Sequence, residues 1–293
     1  MATWSAPGKV FLFGEHAVVY GKPGLAMAIQ HRVSVTVRRK RRPGRVKSPY
    51  INECLGAMGV RAMVYVRSQL PSSSGLGSSA AVTVATLSAI NEEFGKGLSR
   101  EEVARQAFEI EKKVQMGLAS ATDTYVSSFG GVVLIEGPEK RRLPPVNLPI
   151  VVGNSRVSHN TSRMVEKVAR DRERHPGIMN PLLDAIGAVT REALLQFHDL
   201  RALGTLMDTN HALLDALGVG HPALTRLVLA ARSAGAFGAK TTGAGGGGCM
   251  IALAPGRVRG RVAGAMRACD AQAFITSLDT DGVRREKDVQ NHP

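Results

Sequence analysis

The chain has 293 residues, of which 44% are hydrophobic and 21% are charged, so it can bury a large core in one or two domains. Its three cysteines show neither a C-x-x-C pair nor metal-ligand spacing, which indicates neither a disulfide framework nor a zinc site. No apolar run reaches the ~18 residues needed to cross a bilayer, and the N-terminus lacks a signal-peptide pattern. We therefore expect a cytoplasmic protein without a membrane partner.

The formal net charge of +14 raises nucleic-acid binding as an alternative function. Much of this charge lies in short basic clusters at residues 38–42, 140–142 and 257–261. Aromatic residues make up only 4% of the chain and none lies within these clusters, so the stacking surface expected for single strands is missing. Solvated basic turns explain the clusters better, and we expect no nucleic-acid partner.

The order of predicted elements indicates two halves. Strand-like patterns lie at residues 10–13, 33–38, 62–67 and 132–135, and helical patterns at 80–94 and 99–115. The proline-rich segment 138–149 predicts a connection. Beyond it, helices are predicted at 161–174, 181–197, 200–217 and 222–234, then strands at 249–254 and 273–278 around a helix at 258–269. This order predicts an α+β protein with domains at 1–145 and 146–293.

The segment 71–81, Pro-Ser-Ser-Ser-Gly-Leu-Gly-Ser-Ser-Ala-Ala, lies between a predicted strand and a predicted helix. Glycines let a backbone approach a ligand, and the free N–H groups of a helix N-terminus attract anions, so the segment is typical of a phosphate-binding loop. A serine-capped helix after an ordinary turn is the alternative. Gly75, Gly77 and Ala80 also fit the spacing of the dinucleotide-binding fingerprint, but the acidic residue that this fingerprint requires is missing. A Walker A loop is excluded because it requires a lysine, and this segment contains none.

Two acidic residues follow this loop. The second predicted helix begins at Ser99, which forms a capping-box pattern with Glu102, and Glu111 lies within the helix's apolar arc. A buried carboxylate is unfavourable unless it is paired or bound to a cation, so we expect either a buried Arg or Lys partner or a magnesium ion. Asp123, in the turn-forming segment 117–124, is either a helix cap or the second acid that a kinase would use.

The segment 240–249, Lys-Thr-Thr-Gly-Ala-Gly-Gly-Gly-Gly-Cys, comes directly before a predicted strand. Four consecutive glycines carry an entropic cost that close approach to a backbone or a ligand would offset. A flexible linker is the alternative, but the strand that follows at once argues against it. We expect a loop that contacts the ligand.

Residues 6–23, Ala-Pro-Gly-Lys-Val-Phe-Leu-Phe-Gly-Glu-His-Ala-Val-Val-Tyr-Gly-Lys-Pro, resemble the first signature of the mevalonate kinases, a branch of the GHMP family of small-molecule kinases. The loop at 75–81 resembles that family's second motif, and residues 240–249 resemble its third. The resemblance implies a two-domain fold, with an N-terminal α/β domain like domain 2 of ribosomal protein S5 and a C-terminal ferredoxin-like domain. ATP and substrate would bind in the cleft between them.

The resemblance also implies a reaction, the ATP- and Mg²⁺-dependent phosphorylation of the terminal hydroxyl of mevalonate, and a homodimer. Phosphomevalonate kinase and mevalonate 3-kinase are alternatives within the family. Asp123 would be the catalytic base, and Lys9 would stabilise the reacting hydroxyl. Ser79, which motif alignment favours over Ser78, would hold magnesium with Glu111. The full predicted site comprises Pro71, Ser74, Gly75, Leu76, Gly77, Ser78, Ser79, Ala80 and Ala81 for the nucleotide, and Lys9, Glu15, His16, Asp123, Thr242, Gly243 and Ala244 for the acceptor.

Overall fold

The structure of the chain, a computed structural model, describes residues 1–40, 46–71, 74–117, 119–158 and 160–287. Its strands are β1 (Ala2–Phe13), β2 (Gly24–Arg39), β3 (Ala62–Ser68), β4 (Val132–Glu136), β5 (Glu139–Leu143), β6 (Ile150–Asn154), β7 (Gly238–Thr241), β8 (Cys249–Leu253), β9 (Gln272–Thr276) and β10 (Arg284–Arg285). Its α-helices are α1 (Pro49–Ala57), α2 (Ser78–Phe94), α3 (Arg100–Val114), α4 (Ala121–Phe129), α5 (Thr161–Arg174), α6 (Pro176–Leu195), α7 (Leu200–Ala216), α8 (Pro222–Ser233) and α9 (Val258–Arg267). A 3-10 helix spans Ala17–Tyr20.

The first sheet is antiparallel, with strands in the order β10-β1-β2-β4-β5, and β3 also pairs with β2. The long strand β2 pairs with β1 along one edge and with β4 and then β3 along the other. Alternate residues Val33, Val35 and Val37 are buried in a core that also contains Val84 and Leu87 of α2, the period of two that a strand packed on one face requires. This packing fixes α2, and with it the loop at its N-terminus.

The second sheet is antiparallel, with strands in the order β7-β8-β6-β9. Helices α5 to α8 connect β6 to β7, and α9 connects β8 to β9. Apart from the additional helices, this order of strands and helices is the βαββαβ arrangement of ferredoxin-like domains. The main apolar core continues into this part of the chain through Ile150 of β6 and Leu253 of β8, so the two sheets share one core.

The C-terminal residues return to the first sheet. Strand β10 pairs with β1, and Arg32 of β2 forms a buried ion pair with Asp279 and donates to the carbonyl oxygen of Gly282 at 2.6 Å. The predicted division at residue 145 therefore separates the two sheets except at the C-terminus, where these polar contacts hold the last residues against the N-terminal half.

The α+β architecture agrees with the sequence prediction, with local differences. The segment 138–149 is more than a connection, because it contains the edge strand β5, whose charged residues suit a solvent-facing edge. Helices α1 and α4 were not predicted, since both have nine residues and α4 consists largely of small polar residues and lacks a clear helical period. Part of the basic cluster at 38–42 lies outside the described residues.

Candidate active site

Most of the predicted site lies around one cavity of about 540 Å³. Its lining includes Lys9, Ser79, Glu111, Asp123, Gly243 and Ala244, which come from all three motifs and from both predicted acids. Residues separated by up to 235 positions in the chain thus meet at one surface, as the resemblance implied.

Four helix N-termini converge on this cavity. Ser48 precedes α1, Ser79 lies in the first turn of α2, Ser120 precedes α4, and Thr161 begins α5, and all four line the cavity. A helix N-terminus carries unpaired N–H groups and roughly half a positive charge. The cavity is therefore suited to a ligand with several negative charges, such as a triphosphate.

The phosphate-loop prediction fits the observed backbone. Gly75 and Gly77 have φ angles of +77° and +69°, in the left-handed region that favours glycine, and Gly77 is the N-cap residue of α2. A Cβ on Gly77 would lie 3.0 Å from Cγ of Lys9 and 3.7 Å from Oδ2 of Asp123. The absence of a side chain at Gly77 therefore lets the loop approach the Lys9 and Asp123 side chains.

Other loop residues support the loop rather than line the cavity. Leu76 is fully buried, and its carbonyl oxygen accepts a hydrogen bond from the Lys9 N–H at 2.9 Å, which fastens the loop to β1. Ala80 and Ala81, in the first turn of α2, are fully buried. Pro71 also lies outside the lining, and its carbonyl oxygen accepts from the Ser74 hydroxyl at 2.8 Å. Of the predicted nucleotide residues, the described lining therefore contains Ser74, Gly75, Gly77, Ser78 and Ser79.

Glu111 is buried as predicted, with 3% of its surface exposed. It accepts hydrogen bonds from the side chains of Ser79 at 2.9 Å, Thr83 at 3.0 Å and Gln115 at 2.7 Å. The expectation of an Arg or Lys partner is wrong for the described part of the chain, because these donors are all neutral. Burial raises the pKa of Glu111 to about 7, against the lowering effect of the Ser79 and Thr83 hydrogen bonds, and the charge of Asp123 raises it further.

Asp123 lies in the first turn of α4, whose N-cap is Ser120. The cap is therefore Ser120 and not Asp123, whose side chain faces the cavity. Nζ of Lys9 lies 3.3 Å from Oδ1 of Asp123, an ion-pair distance, but within the described residues this buried oxygen accepts no hydrogen bond of good geometry. Asp123 thus presents to the cavity a carboxylate oxygen that is near a cation and lacks a hydrogen-bond donor among the described residues.

Glu15, His16 and Thr242 lie behind the cavity rather than in its described lining. Glu15 forms a buried ion pair with Lys240. His16 faces the carbonyl oxygen of Ala244 at 2.9 Å through Nε2, while its Nδ1 is buried without a hydrogen-bond partner among the described residues. Burial lowers the pKa of His16, although the Ala244 carbonyl opposes this effect, so the imidazole is neutral at neutral pH. The Thr242 hydroxyl forms hydrogen bonds with the backbone N–H and carbonyl oxygen of Phe11 in β1.

The glycine-rich third motif serves packing more than the sequence suggested. Gly243 and Ala244 line the cavity, and a Cβ on Gly243 would lie 3.6 Å from the carbonyl oxygen of Gly75. By contrast, a Cβ on Gly245 would lie 2.2 Å from the Val219 carbonyl oxygen. Gly246 and Gly247 would meet neighbouring side chains or backbone in the same way. The close approach of neighbouring chain segments by itself requires glycine at these later positions.

Sequence reasoning missed several lining residues, among them Tyr50, Gln115 and Thr161. Tyr50 lies in the first turn of α1, where its pKa is raised by burial and by the charge of Glu111. No spacing in the sequence connects α1 with the loop at 75–79, so Tyr50 could not be found from pattern alone. Gln115 could have been found, because it follows Glu111 by one helical turn.

Comparisons with known proteins identify the family. Models of the GHMP kinase N-terminal and C-terminal domains match residues 46–131 and 190–271. A mevalonate kinase from Thermococcus sibiricus is 39% identical over 98% of this chain and 98% of its own. The chain belongs to the mevalonate kinases of the GHMP kinase family. A mevalonate kinase from Pyrococcus furiosus is similarly related, at 40% identity over 98% of both chains.

Solved structures of GHMP kinases share the fold. A crystal structure of Methanococcus jannaschii mevalonate kinase has a TM-score of 0.83 at 26% identity, and the match covers 94% of this chain and 98% of that one. A mevalonate kinase from L. major, crystallised with R-mevalonate, has the same fold, with a TM-score of 0.83 at 24% identity over 96% of each chain. Residues 2–39 also match the galactokinase galactose-binding signature.

Membership of a kinase family implies that ATP is the phosphate donor. None of the helices in the described ranges combines the length and apolar character needed to cross a membrane.

Proposed function

We propose that this chain transfers the γ-phosphate of ATP to the terminal hydroxyl of (R)-mevalonate, giving 5-phosphomevalonate and ADP. The observation that carries the proposal is the Lys9 and Asp123 pair, 3.3 Å apart, at the N-terminus of α2 in a cavity that all three motifs line. Phosphoryl transfer needs positioning, charge neutralisation and a proton acceptor, and this pair supplies a cation and an acceptor beside the phosphate loop.

The phosphates of ATP would bind at the N-terminus of α2, where residues 75–79 offer backbone N–H groups and the Ser78 and Ser79 hydroxyls. Gly243 and Ala244 face this loop, and the acceptor would lie between them and Asp123. The other helix N-termini at the cavity attract the same negative charge, since their dipoles point the same way.

In the reaction, the oxygen of the acceptor hydroxyl forms a bond to the γ-phosphorus as the bond from that phosphorus to the bridging oxygen of ADP breaks. The hydroxyl proton passes to Asp123, whose Oδ1 has no hydrogen bond to lose among the described residues. Nζ of Lys9, 3.3 Å from Oδ1 of Asp123, places a positive charge next to the developing alkoxide. Because Lys9 is 5% exposed, little water screens this charge.

Magnesium is part of the proposal. Glu111 and Ser79 offer carboxylate and hydroxyl oxygens, the ligand types that Mg²⁺ takes, and Glu111 forms no ion pair in the described part of the chain. No cluster of three His, Cys, Asp or Glu side chains in the described ranges is arranged to hold a metal alone, which suits an ion that keeps water and phosphate ligands. When bound, Mg²⁺ neutralises charge on the phosphates.

The cytoplasm and the homodimer also belong to the proposal. The three cysteines are unpaired, as a reducing compartment favours. The dimer is supported only by the family resemblance, and sedimentation of the purified protein tests it.

The experiment is an ADP-release assay with mevalonate, phosphomevalonate and galactose as acceptors. Galactose is included because residues 2–39 match the galactokinase signature. We expect release with mevalonate, and phosphorus NMR of the product should place the new phosphate on the terminal oxygen. Release that depends on another acceptor would reassign the substrate. Steeply salt-dependent binding to DNA or RNA without turnover would favour the nucleic-acid alternative.

Asp123→Asn provides the matched test of the proton acceptor. We expect it to fold normally and to lose turnover by about 10²-fold to 10⁴-fold, the usual contribution of a general base. Asp184→Asn is the control, because Asp184 also pairs with a lysine, Lys22, but lies outside the described lining of the cavity. Near-normal turnover of Asp123→Asn would remove Asp123 from the base role.

A further inference from the structure

A wholly buried ion pair joins the first motif to the third. Lys240, in β7, and Glu15, directly after β1, have side chains that are 0% and 1% exposed. Nζ of Lys240 donates to Glu15 and to the carbonyl oxygen of Thr241 at 2.7 Å. The second carboxylate oxygen of Glu15 accepts from Nδ2 of Asn210 in α7 at 3.2 Å. Both oxygens of Glu15 are therefore engaged by side chains of the C-terminal half of the chain.

A buried ion pair of this kind seldom adds stability over a well-packed apolar pair, because both charges lose their hydration. Burial lowers the pKa of Lys240, while the charge of Glu15 opposes this effect. What the pair does supply is a fixed geometry between its two chain segments, since an unpaired charge at this depth is strongly unfavourable.

Two further contacts run beside this pair. The Thr242 hydroxyl accepts from the Phe11 N–H at 2.8 Å and donates to the Phe11 carbonyl oxygen at 3.0 Å. His16, with a φ of +60° that is uncommon for a side-chain-bearing residue, faces the Ala244 carbonyl oxygen. We use the name clasp for these three contacts, between Glu15 and Lys240, Phe11 and Thr242, and His16 and Ala244.

From this geometry we infer that Lys240 is a positioning residue for the acceptor site: through Glu15 it holds His16 and the Gly243–Ala244 loop against the cavity. The inference rests on the proposed function and assigns a role to a residue that touches no reacting atom. A Cβ on Gly243 of this loop would lie 3.6 Å from the Gly75 carbonyl oxygen, so the position of the loop sets how closely an acceptor approaches the phosphate.

The clasp should affect the two substrates differently. The phosphate loop is held by the Ser79–Glu111 hydrogen bond and by the Leu76–Lys9 backbone contact, neither of which involves the clasp. Loosening the clasp should therefore raise the KM for mevalonate by about tenfold or more, equivalent to 1.4 kcal/mol or more. The KM for ATP should stay within about twofold. A merely structural role would lower the folded fraction, and with it the apparent kcat, and leave both KM values unchanged.

The test uses the full chain. Lys240→Met leaves Glu15 unpaired and can prevent folding, so the main variant combines Lys240→Met with Glu15→Gln and removes both charges. The matched control combines Arg32→Met with Asp279→Asn, because that buried ion pair also joins the two halves of the chain but lies away from the cavity. We expect the clasp variant, but not the control, to show the raised KM for mevalonate.

Hydrogen exchange of the ligand-free proteins gives a readout that needs no substrate. The amides of Ala17 and Val18 donate to Glu15 and Gly14 carbonyl oxygens, next to the clasp. Residues 14–21 should exchange faster in the clasp variant than in the control. Unchanged exchange in the clasp variant would overturn the inference. So would a clasp variant whose KM for mevalonate equals that of an active wild type. A wild type that releases no ADP with mevalonate would overturn the proposed function, while the exchange result would still decide the role of Lys240.

Discussion

Replacement of Glu111 by glutamine should make this enzyme more stable at pH 8 while weakening its function. Burial raises the pKa of Glu111 from 4.5 to about 7, so the fold prefers the protonated acid. In an unfolded chain the same group loses its proton near pH 4.5. Its unfavourable effect on folding is therefore absent below pH 4.5, grows as pH rises, and is complete above pH 7. Glutamine has nearly the same shape and carries no proton to lose.

The magnitude follows from the two pKa values. At 1.36 kcal/mol per pKa unit, ionisation of buried Glu111 costs about 3 kcal/mol at pH 8 and less than about 1 kcal/mol at pH 5. The free energy of unfolding of Glu111→Gln, relative to wild type, should thus rise by roughly 2.5 kcal/mol between these pH values. The constant effect of exchanging one hydrogen-bond arrangement for another cancels in this comparison. The Ser79 and Thr83 hydroxyls can turn to suit the amide.

Urea unfolding at pH 5 and pH 8 measures this difference. Glu109→Gln is the matched control, because it lies on the same helix with its side chain 62% exposed. The difference in unfolding free energy between Glu109→Gln and the wild type should not grow by roughly 2.5 kcal/mol between pH 5 and pH 8. An unfolding difference for Glu111→Gln that stays constant from pH 5 to pH 8 would refute the reasoning, since Glu111 would then titrate as an ordinary surface acid. If Glu111 holds magnesium as proposed, the same variant should require more magnesium for turnover, and that role would offset the unfavourable burial of the acid.

Other substitutions test the supporting geometry. Ser79→Ala should raise the magnesium concentration for half-maximal turnover by about tenfold, the equivalent of 1.4 kcal/mol, whereas Ser78→Ala should leave it unchanged. Equal effects of the two substitutions would contradict the choice of Ser79 as the magnesium ligand. Gly77→Ala and Gly95→Ala both place a side chain at positive φ, which costs about 1–2 kcal/mol. Only the Cβ at position 77 would meet neighbouring atoms, so only Gly77→Ala should raise the KM for ATP. Thr242→Val should destabilise the fold by about 1–3 kcal/mol, because it leaves the Phe11 backbone groups in β1 without their hydrogen-bond partner. Thr242→Ser should restore most of this stability. A raised KM for mevalonate in Thr242→Val at unchanged stability would instead indicate that Thr242 contacts the substrate directly.

The sequence predicted those features that depend on local pattern. The capping box at Ser99 and Glu102 forms in the structure, and α3 follows it with Glu111 on its buried face. Gly75 and Gly77 adopt the backbone conformation that favours glycine. In each case the chain within a few residues determines the outcome, through a cap, a helical period or a φ angle that other residues rarely adopt.

Partners distant in the sequence could not be predicted in this way. Glu15 was predicted to contribute to the acceptor pocket, and no local pattern indicated its contact with Lys240, 225 positions away. Of the two alternatives for Glu111, an Arg or Lys partner is absent among the described residues, where hydroxyl and amide donors surround the carboxylate, and a magnesium ion stays a proposal. The glycines after Ala244 were predicted to allow close approach of a backbone or a ligand, and three of them lie against Val219, Met164 and Val157, from distant parts of the chain. These outcomes depend on how the two sheets pack together, which no local pattern encodes.

The most direct test of the account is a crystal structure of the protein with mevalonate and a non-hydrolysable ATP analogue. We expect the γ-phosphate at the N-terminus of α2, within reach of Ser79 and Lys9, and the terminal hydroxyl of mevalonate within hydrogen-bond distance of Asp123. A triphosphate bound away from this loop, or a terminal hydroxyl that points away from Asp123, would contradict it.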